Sequence, residues 1–284
     1  MSKVFFTSDL HFGHENVLKF DKRPFKTVEE MNAELIKRWN AKVGAGDIVY
    51  VLGDFIWRMK ADDALSLIKC LNGQIILIKG NHDRFLHNSN VKNALGGVKD
   101  YDDISVKLEH GAEPIRCILS HYFIPMYNGH FRKAIHLHGH SHNSKEHFAE
   151  LEIANSLNKA GFRCEAYNVG CMHWDYEPVT LDEILAGDGR TILPCYKPLW
   201  KMLIDLDMTQ VDLLNVTGIS KTTLRKMKRD EPISFREIEK IKETLHCKED
   251  NILYYLTLHE ARMQDEAAKD IKLNLDNMPD LLDE

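Results

Sequence analysis

Apolar and polar positions alternate along this chain in two distinct styles. Val4-Phe5-Phe6-Thr7 is a short apolar run that stops at Ser8-Asp9 and reads as a buried strand. Thr27, followed three residues later by Glu30, carries the capping-box signature and predicts a helix to about Asn40. Asp47–Leu52 reads as a β-branched strand ended by Gly53. A helical spacing over roughly 60–71 leads to the turn Asn72-Gly73, and Gln74–Lys79 reads as a third strand ended by Gly80. Further strands are expected at 104–108, 115–119, 134–138 and 167–169. Strands alternating with helices predict an α/β layered core. The later strands, with hardly a helix between them, predict a second sheet packed on the first.

Past residue 186 the style changes. Gly187–Pro198 contains two Gly, two Pro and little periodicity, and reads as a linker. Beyond it the apolar spacing is helical only, over Leu199–Leu206, Thr209–Val216, Ser220–Lys228, Ser234–Leu245 and Asp250–Leu258. The expected organisation is a first domain over 1–186, a linker over 187–198, a small all-α domain over 199–258 and an acidic tail over 259–284. That tail is expected to be a helix fraying into disorder.

Composition places the 284-residue chain among ordinary globular proteins, with 44% hydrophobic and 28% charged residues. No run approaches the length of a membrane span, and the N-terminal apolar stretch is too short for a signal peptide. Six cysteines without a C-x-x-C pair are expected to be reduced thiols of a cytosolic (cytoplasmic) protein. A net charge of −6 argues against coating nucleic acid along the whole surface. Local charge is uneven, with five Lys or Arg and no acid in 221–229. Thirteen of the fifteen histidines precede residue 190, which is a reason to look for metal there.

The residues able to ligate metal follow strand ends. Asp9-Leu10-His11 follows the first strand, Gly53-Asp54 the second and Gly80-Asn81-His82-Asp83 the third. His121 follows the strand at 115–119, and Gly139-His140-Ser141-His142 the strand at 134–138. Loops at the carboxyl ends of strands converge on one edge of a layered α/β protein. Oxygen and imidazole donors without thiolate suit Mn, Fe, Zn or Ni rather than a sulfur-rich structural site. Two such divalent metal ions can grip a phosphoryl oxygen and make water nucleophilic near neutral pH. Singly these motifs are weak; the ordered set D-x-H, G-D, G-N-H-D, S-H, G-H-x-H is hard to attribute to chance.

That set resembles the calcineurin-like metallophosphoesterase superfamily over roughly residues 3–186. Ser8-Asp9-Leu10-His11-Phe12-Gly13-His14-Glu15-Asn16 and the later Tyr167-Asn168-Val169-Gly170-Cys171-Met172 resemble its small bacterial and phage members. The resemblance implies a four-layer α/β/β/α sandwich. It implies that Asp9, His11 and His142 bind one metal and Asn81, His121 and His140 the other, with Asp54 bridging. It further implies that a hydroxide between the metals attacks phosphorus in line. By the same resemblance His82 stabilises the transition state or protonates the leaving oxygen, oriented by Asp83. The chain departs from many members at Gly53-Asp54-Phe55-Ile56-Trp57-Arg58, where apolar bulk precedes the arginine and leaves the reach of Arg58 open. His14 and Asn16 either line the substrate site or serve capping and packing. Arg84 either holds a phosphate or pairs with an acid. His136 and His138 read mainly as core and His87, His110, His130 and His147 as surface; for Trp174 and Tyr176 packing is the commoner account.

In the C-terminal part, one amphipathic segment runs into Thr217-Gly218-Ile219, and Ser220 is placed to cap the next helix. Val211, Leu214, Ile219 and Leu224 are spaced to share a small core. This resembles the Cro-like, Xre-type helix-turn-helix domains. The resemblance offers Lys221, Thr222, Thr223, Arg225, Lys226 and Lys228 to DNA. Residues 198–258 nevertheless hold ten bases and ten acids, less basic than most DNA-binding modules. A docking or dimerisation role is the rival. The expected function is a dinuclear-metal-dependent phosphohydrolase of phosphoester, nucleotide or nucleic-acid substrates. The alternative is a DNA-binding transcriptional regulator whose phosphoesterase domain senses or degrades a nucleotide signal.

Overall fold

A computed structural model describes residues 2–109, 113–186, 193–248 and 251–256. The chain divides into two compact units, 1–189 and 190–284.

The first unit contains two sheets. In the first sheet β1 (Val4–Thr7), β2 (Ile48–Val51), β3 (Gln74–Ile78) and β4 (Gly97–Lys99) run parallel in the order β4-β3-β2-β1. The second has the order β5-β6-β7-β8, from β5 (Asp102–Val106), β6 (Ile115–Leu119), β7 (Ile135–His138) and β8 (Ala166–Asn168). Its β5–β6 pair is antiparallel and the rest parallel. β9 (Val179–Thr180) returns antiparallel to β1 and closes the first sheet.

Strand alternation distributes the core. Phe5, Val49, Val51, Ile75 and Leu77 face one way, against Met31, Leu35 and Trp39 and against Ala64, Leu67 and Ile68. Those partners belong to two helices separated by the short α1 (Val17–Phe20) from the chain's start: α2 (Val28–Lys42) and α3 (Ala61–Cys70). Phe6, Tyr50, Leu52 and Ile78 face the other way, into a core shared with Cys117, Leu119, Ile135 and Leu137 of the second sheet. Ile118 and Ala134 lie in an outer cluster with Tyr127 and Cys164, joined by Ala154 and Leu157. The four expected layers are therefore present. The short α4 (Ser89–Asn93) precedes β4, α5 (Lys145–Lys159) supplies Ala154 and Leu157, and α6 (Leu181–Leu185) follows β9.

Two expectations are corrected here. The strands of the second sheet are not free of helices. α5 spans fifteen residues between β7 and β8, capped by Ser144, whose hydroxyl accepts from Glu146 N–H at 3.1 Å. Its polar surface and single fully buried residue, Phe148, obscure the helical period in the sequence. At α2, Thr27 caps as expected, but the Glu30 carboxylate accepts from Lys26 N–H rather than from Thr27. Half of the capping box forms.

The second unit holds α7 (Lys197–Asp205), α8 (Gln210–Thr217), α9 (Lys221–Met227) and α10 (Phe235–Leu245). Complete capping boxes start two of them, Thr209 with Asp212 and Ser234 with Glu237, and Gly218 ends α8 in the left-handed conformation. Leu199, Leu203, Leu213, Ile219, Met227, Ile238 and Ile241 form its core. Leu214 and Leu224 pack partly against it, but Val211 is 63% exposed and takes no place there; Leu213 fills the role. β10 (Leu193–Cys195), inside the stretch read as a linker, pairs antiparallel with β11 (Tyr254–Leu256), inside the stretch read as a final helix. Two segments distant in sequence pair there, which local periodicity does not reveal. The rest of the linker up to residue 192, and the acidic tail, lie outside the described residues.

Candidate metal centre

The ligand loops do not simply hang from strand ends; the ladder between β1 and β2 continues beyond them. Leu52 N–H donates to Thr7, Asp9 N–H to Gly53, His11 N–H to Asp54, Phe12 N–H to Phe55 and Trp57 N–H to Phe12, all at 2.8–3.0 Å. Ser8 pairs with Gly170 and Phe12 with Ile56 in isolated bridges. Two loops that carry chemistry are thereby tied together along their length.

Five candidate ligands have left-handed backbone: Asp9 (φ 56°), His11 (50°), Asp54 (54°), His140 (70°) and His142 (45°). Asp and His tolerate this region better than most residues, yet each such residue costs on the order of 1–3 kcal/mol and persists because the surroundings hold it. Glycine makes the approach of the loops possible. A Cβ on Gly80 would overlap the Asp54 carboxylate, and one on Gly139 would overlap Ser8 and the Asp9 carboxylate.

The donor atoms converge. His11 Nε2 is 3.2 Å from His142 Nε2 and 3.5 Å from Asp54 Oδ2. On the other side of Asp54, His121 Nε2 is 3.7 Å from the same oxygen and 2.9 Å from Asn81 Oδ1. His140 Nδ1 is 3.2 Å from Asn81 Oδ1 and 3.3 Å from His121 Nε2. Asp9 Oδ2 accepts from His140 N–H at 2.9 Å, while Oδ1 is buried with no hydrogen-bond partner and lies 3.6 Å from His142 Nε2. Ring nitrogens facing one another beside an unsatisfied buried carboxylate oxygen suit a cation. Among the described residues two groups have ligand atoms close enough to share an ion: Asp9, His11 and His142, and Asp9, Asp54 and His121. Asp9 belongs to both.

Charge reinforces that geometry. Burial raises the Asp54 pKa and nearby Asp9 adds to it, against the opposing pull of His121. His11 is driven well below its ordinary value by burial and by His142 and Arg23. Neutral imidazole is the form that ligates metal.

Two residues behind the site went unread in the sequence. The Arg23 guanidinium is buried. It donates to Asp21 at 2.9 Å and to the backbone carbonyls of Leu10 at 2.9 Å and Asp9 at 2.6 Å. Asp21 Oδ2 lies 3.3 Å from His142 Nδ1, leaving Nε2 of that ring for the centre. Burial works against ionised Asp21, but Arg23 and His142 hold its carboxyl well below the usual range. Asp21 thus sets a buried carboxylate charge beside the His142 ring, although Nδ1 itself makes no hydrogen bond. His121 is fixed differently, through Nδ1 and the Leu52 carbonyl at 2.7 Å. The only sequence signal for Asp21 and Arg23 is their closeness to the D-x-H turn.

The remaining expected residues fall into place unevenly. His82 stands beside the centre, its Nε2 3.9 Å from Asp54 Oδ2 and its side chain 39% exposed; its N–H donates to Asp54 Oδ1 at 2.8 Å. Asp83 does not reach the His82 ring. Its carboxylate accepts from Gly80, Asp54 and Phe55 N–H groups at 2.7–3.0 Å, so it clamps two ligand loops together. Burial pushes its pKa up to about 6 despite those donors. The His14 ring lies flat on Trp57, and Asn16 is exposed at the start of α1 without a side-chain cap bond. Arg84 is exposed at the head of a short 3-10 turn, Arg84–His87. His136 is a satisfied core residue, with Nδ1 on the Ile118 carbonyl and Nε2 accepting from Ile124 N–H, both at 3.0 Å. His147 is not a surface residue; its ring stacks on buried His173 at 4.7 Å. His110 lies outside the described residues. Trp174 and Tyr176 are buried packing residues, the indole N–H donating to the Asn168 carbonyl at 2.9 Å.

In the second unit Lys221, Thr222, Arg225, Lys226 and Lys228 are exposed on or at the end of α9. Thr223 is not available to a partner. It is buried, its N–H donates to the Ser220 hydroxyl at 3.0 Å and its own hydroxyl donates to Glu237.

The family model described as calcineurin-like phosphoesterase matches residues 2–173. The chain belongs to that family. Its first unit is thus a metal-dependent phosphoesterase domain, and residues 198–257 of the same chain match the model of a Cro/C1-type helix-turn-helix DNA-binding domain. The uncharacterized protein MJ1445 of Methanocaldococcus jannaschii is 37% identical over 186 residues, 65% of this chain and 90% of that protein. The Gene 66 protein of Mycobacterium phage D29 is 30% identical over 50% of this chain and 80% of its own length. Among solved structures, the Aquifex aeolicus protein AQ665 aligns with a TM-score of 0.50 at 25% identity. That alignment covers 66% of this chain and 99% of that one. All six cysteines are free thiols, and among the described residues no helix is long and apolar enough to cross a membrane.

Proposed function

We propose that the chain hydrolyses phosphodiesters of nucleotides or nucleic acids at a two-metal centre. The observation that carries this reading is the position of Asp54 Oδ2 between two imidazoles, 3.5 Å from His11 and 3.7 Å from His121. One carboxylate oxygen then serves both ligand groups. Asp9, His11 and His142 would hold one ion and Asn81, His121 and His140 the other, with Asp54 shared; Mn, Fe, Zn and Ni all suit the donors. Bound there, divalent cations neutralise phosphoryl charge and make water nucleophilic at neutral pH.

The chain's own residues supply the rest. Arg23 and Asp21 hold His142 in one orientation, the Leu52 carbonyl holds His121, and Asp83 keeps the loops of Asp54 and Gly80 at a fixed spacing. His82, part-exposed beside Asp54, protonates the leaving oxygen through Nε2. Cleavage of a phosphodiester and an aryl phosphomonoester is measured with and without added divalent metal. Asp54→Asn is expected to abolish both activities, and His82→Ala to lower kcat by about 10²- to 10⁴-fold, the usual share of general acid catalysis. Full activity in both variants overturns the reading.

A second reading has its own observation, the exposed basic set Lys221, Arg225, Lys226 and Lys228 on the helix-turn-helix unit. On it the protein is a DNA-bound regulator whose first unit consumes a nucleotide signal. Absence of salt-dependent duplex binding at low ionic strength would remove it.

A further inference from the structure

Aromatic rings bracket the metal-ligand loops at both ends, and none of them is needed to hold a metal. At the end of His11 and His142, Trp57 lies flat on His14, with ring centroids 3.9 Å apart and planes 12° from parallel, and meets His82 edge-on at 4.8 Å. The Arg58 guanidinium carbon sits 5.1 Å from the Trp57 ring. Phe20, 57% exposed, stands 5.6 Å from His14 and 5.9 Å from His142. At the other end Tyr122, 49% exposed, stands 4.4 Å from His140 and 5.0 Å from His121. Its backbone is pinned by the Ser120 hydroxyl, which donates to the Tyr122 carbonyl at 2.6 Å.

Single exposed apolar side chains are ordinary on a protein surface. Here, however, one exposed ring stands at each ligand group, and on the side of His11 and His142 Arg58 lies over the Trp57 ring. A phosphodiester has two ester arms, so a substrate whose phosphorus sits over Asp54 sends one arm toward each aromatic end. Nucleobases stack on aromatic side chains with little regard to sequence, and guanidinium groups reinforce such stacks. Phosphopeptides and sugar phosphates present no planar ring on both arms.

We propose that this rim selects a single-stranded oligonucleotide, with one unpaired base stacked on Phe20, which contacts the buried His14 of the Trp57–His14 pair, and the other on Tyr122. Bases in a duplex already stack on each other and leave no face free. The inference rests on the phosphodiesterase reading of the metal centre and names its substrate.

The test uses the full-length protein with Mn²⁺ and compares the dinucleotide TpT with the diester in which both bases are removed. Wild-type kcat/KM is expected to favour TpT by at least about tenfold, with Phe20→Ala and Tyr122→Ala each cutting that ratio about fivefold or more. Both side chains are exposed, so truncation leaves the core intact. Equal rates on the two diesters, a ratio unmoved by both substitutions, or faster cleavage of a duplex than of its single strand overturns base selection while the phosphoesterase reading stands. Hydrolysis of an aryl monoester without either diester has the same meaning. If no substrate is cleaved, the phosphoesterase reading fails, and saturation-transfer NMR on TpT decides the rim separately. Transfer to base protons that is lost in both variants supports it, and absent transfer overturns it.

Discussion

The two units hold their candidate functional residues in opposite ways. In the phosphoesterase unit, Asp9, His11, Asp54 and His121 are buried, five of the seven candidate ligands are fixed in left-handed backbone, and groups such as Asp21, Arg23 and Asp83 back them. In the helix-turn-helix unit the basic residues are exposed side chains of a seven-residue helix, and the buried polar contacts of that helix serve its own folding. A pre-formed centre of the first kind fixes the geometry of its donor atoms through the fold itself. An exposed basic helix leaves affinity to the partner it meets.

The sharpest way to break that contrast is at Asp9, whose carboxylate lies close to ligand atoms on both sides of the centre. Asp9→Asn keeps an acceptor for His140 N–H but removes the charge. It is expected to lower metal-dependent hydrolysis by about a thousandfold or more, since several kcal/mol of charge stabilisation go with it. Calorimetric titration with Mn²⁺ should show the binding event of the Asp9–His11–His142 group weakened; equal weakening of both events would mean that Asp9 serves both ions.

Acid distinguishes the units next. Burial lowers the His136 pKa to about 4 from its ordinary 6.5, against the opposing pull of the Ile118 carbonyl that Nδ1 faces, and burial drives His138 and His173 well below the ordinary value. As pH falls, the unfolded chain takes up these protons first. Stability is therefore fully present above pH 6.5 and is lost as pH drops through about 4. His136 alone contributes a change on the order of 3 kcal/mol across that window. The only described histidine of the second unit, His246, is exposed. Hydrogen exchange on the metal-free chain should show protection in β6 and β7 falling between pH 6.5 and 4 while the second unit's protection moves less. His136→Leu should lower stability at pH 8 yet flatten that acid limb.

Much of this was legible in the sequence because parallel strands end at one edge, so chain order alone brings Asp9, Asp54, Asn81, His121 and His140 together. Asp21 and Arg23 were not legible, because their role depends on a loop folding back beneath His142. Asp83 was misassigned because adjacency to His82 says nothing about direction, and its carboxylate turns instead to three backbone donors. The Phe55–Arg58 departure leaves the reach of Arg58 open in the sequence; in the fold it delivers Trp57 beside His14 and His82. The α5 helix escaped because its apolar face is narrow, and the β10–β11 pair because its two segments lie about sixty residues apart.

Asp21→Asn sets the scale of the supporting groups. It removes the charge facing His142 Nδ1 and Arg23, and an effect of about 10- to 100-fold on metal affinity or activity is expected. Metal titration of activity checks it; a variant indistinguishable from wild type would mean that packing alone orients His142.

The smallest effects are expected in the second unit, and they separate a reading helix from a merely capped one. Lys221→Ala and Arg225→Ala remove exposed charges, so each should lower the slope of log K for duplex binding against log salt by about one, without altering the unit's thermal unfolding. Thr223→Ala should do the reverse. It removes the Thr223 hydroxyl that donates to Glu237 and contacts the Ser220 hydroxyl, lowering the unfolding temperature while leaving the salt slope in place. Salt-dependent fluorescence anisotropy on a labelled duplex, paired with calorimetry, reads both quantities. If Lys221 and Arg225 leave the slope unchanged although the chain binds the duplex, the contact lies on another surface and the resemblance of α9 to a recognition helix ends at its fold.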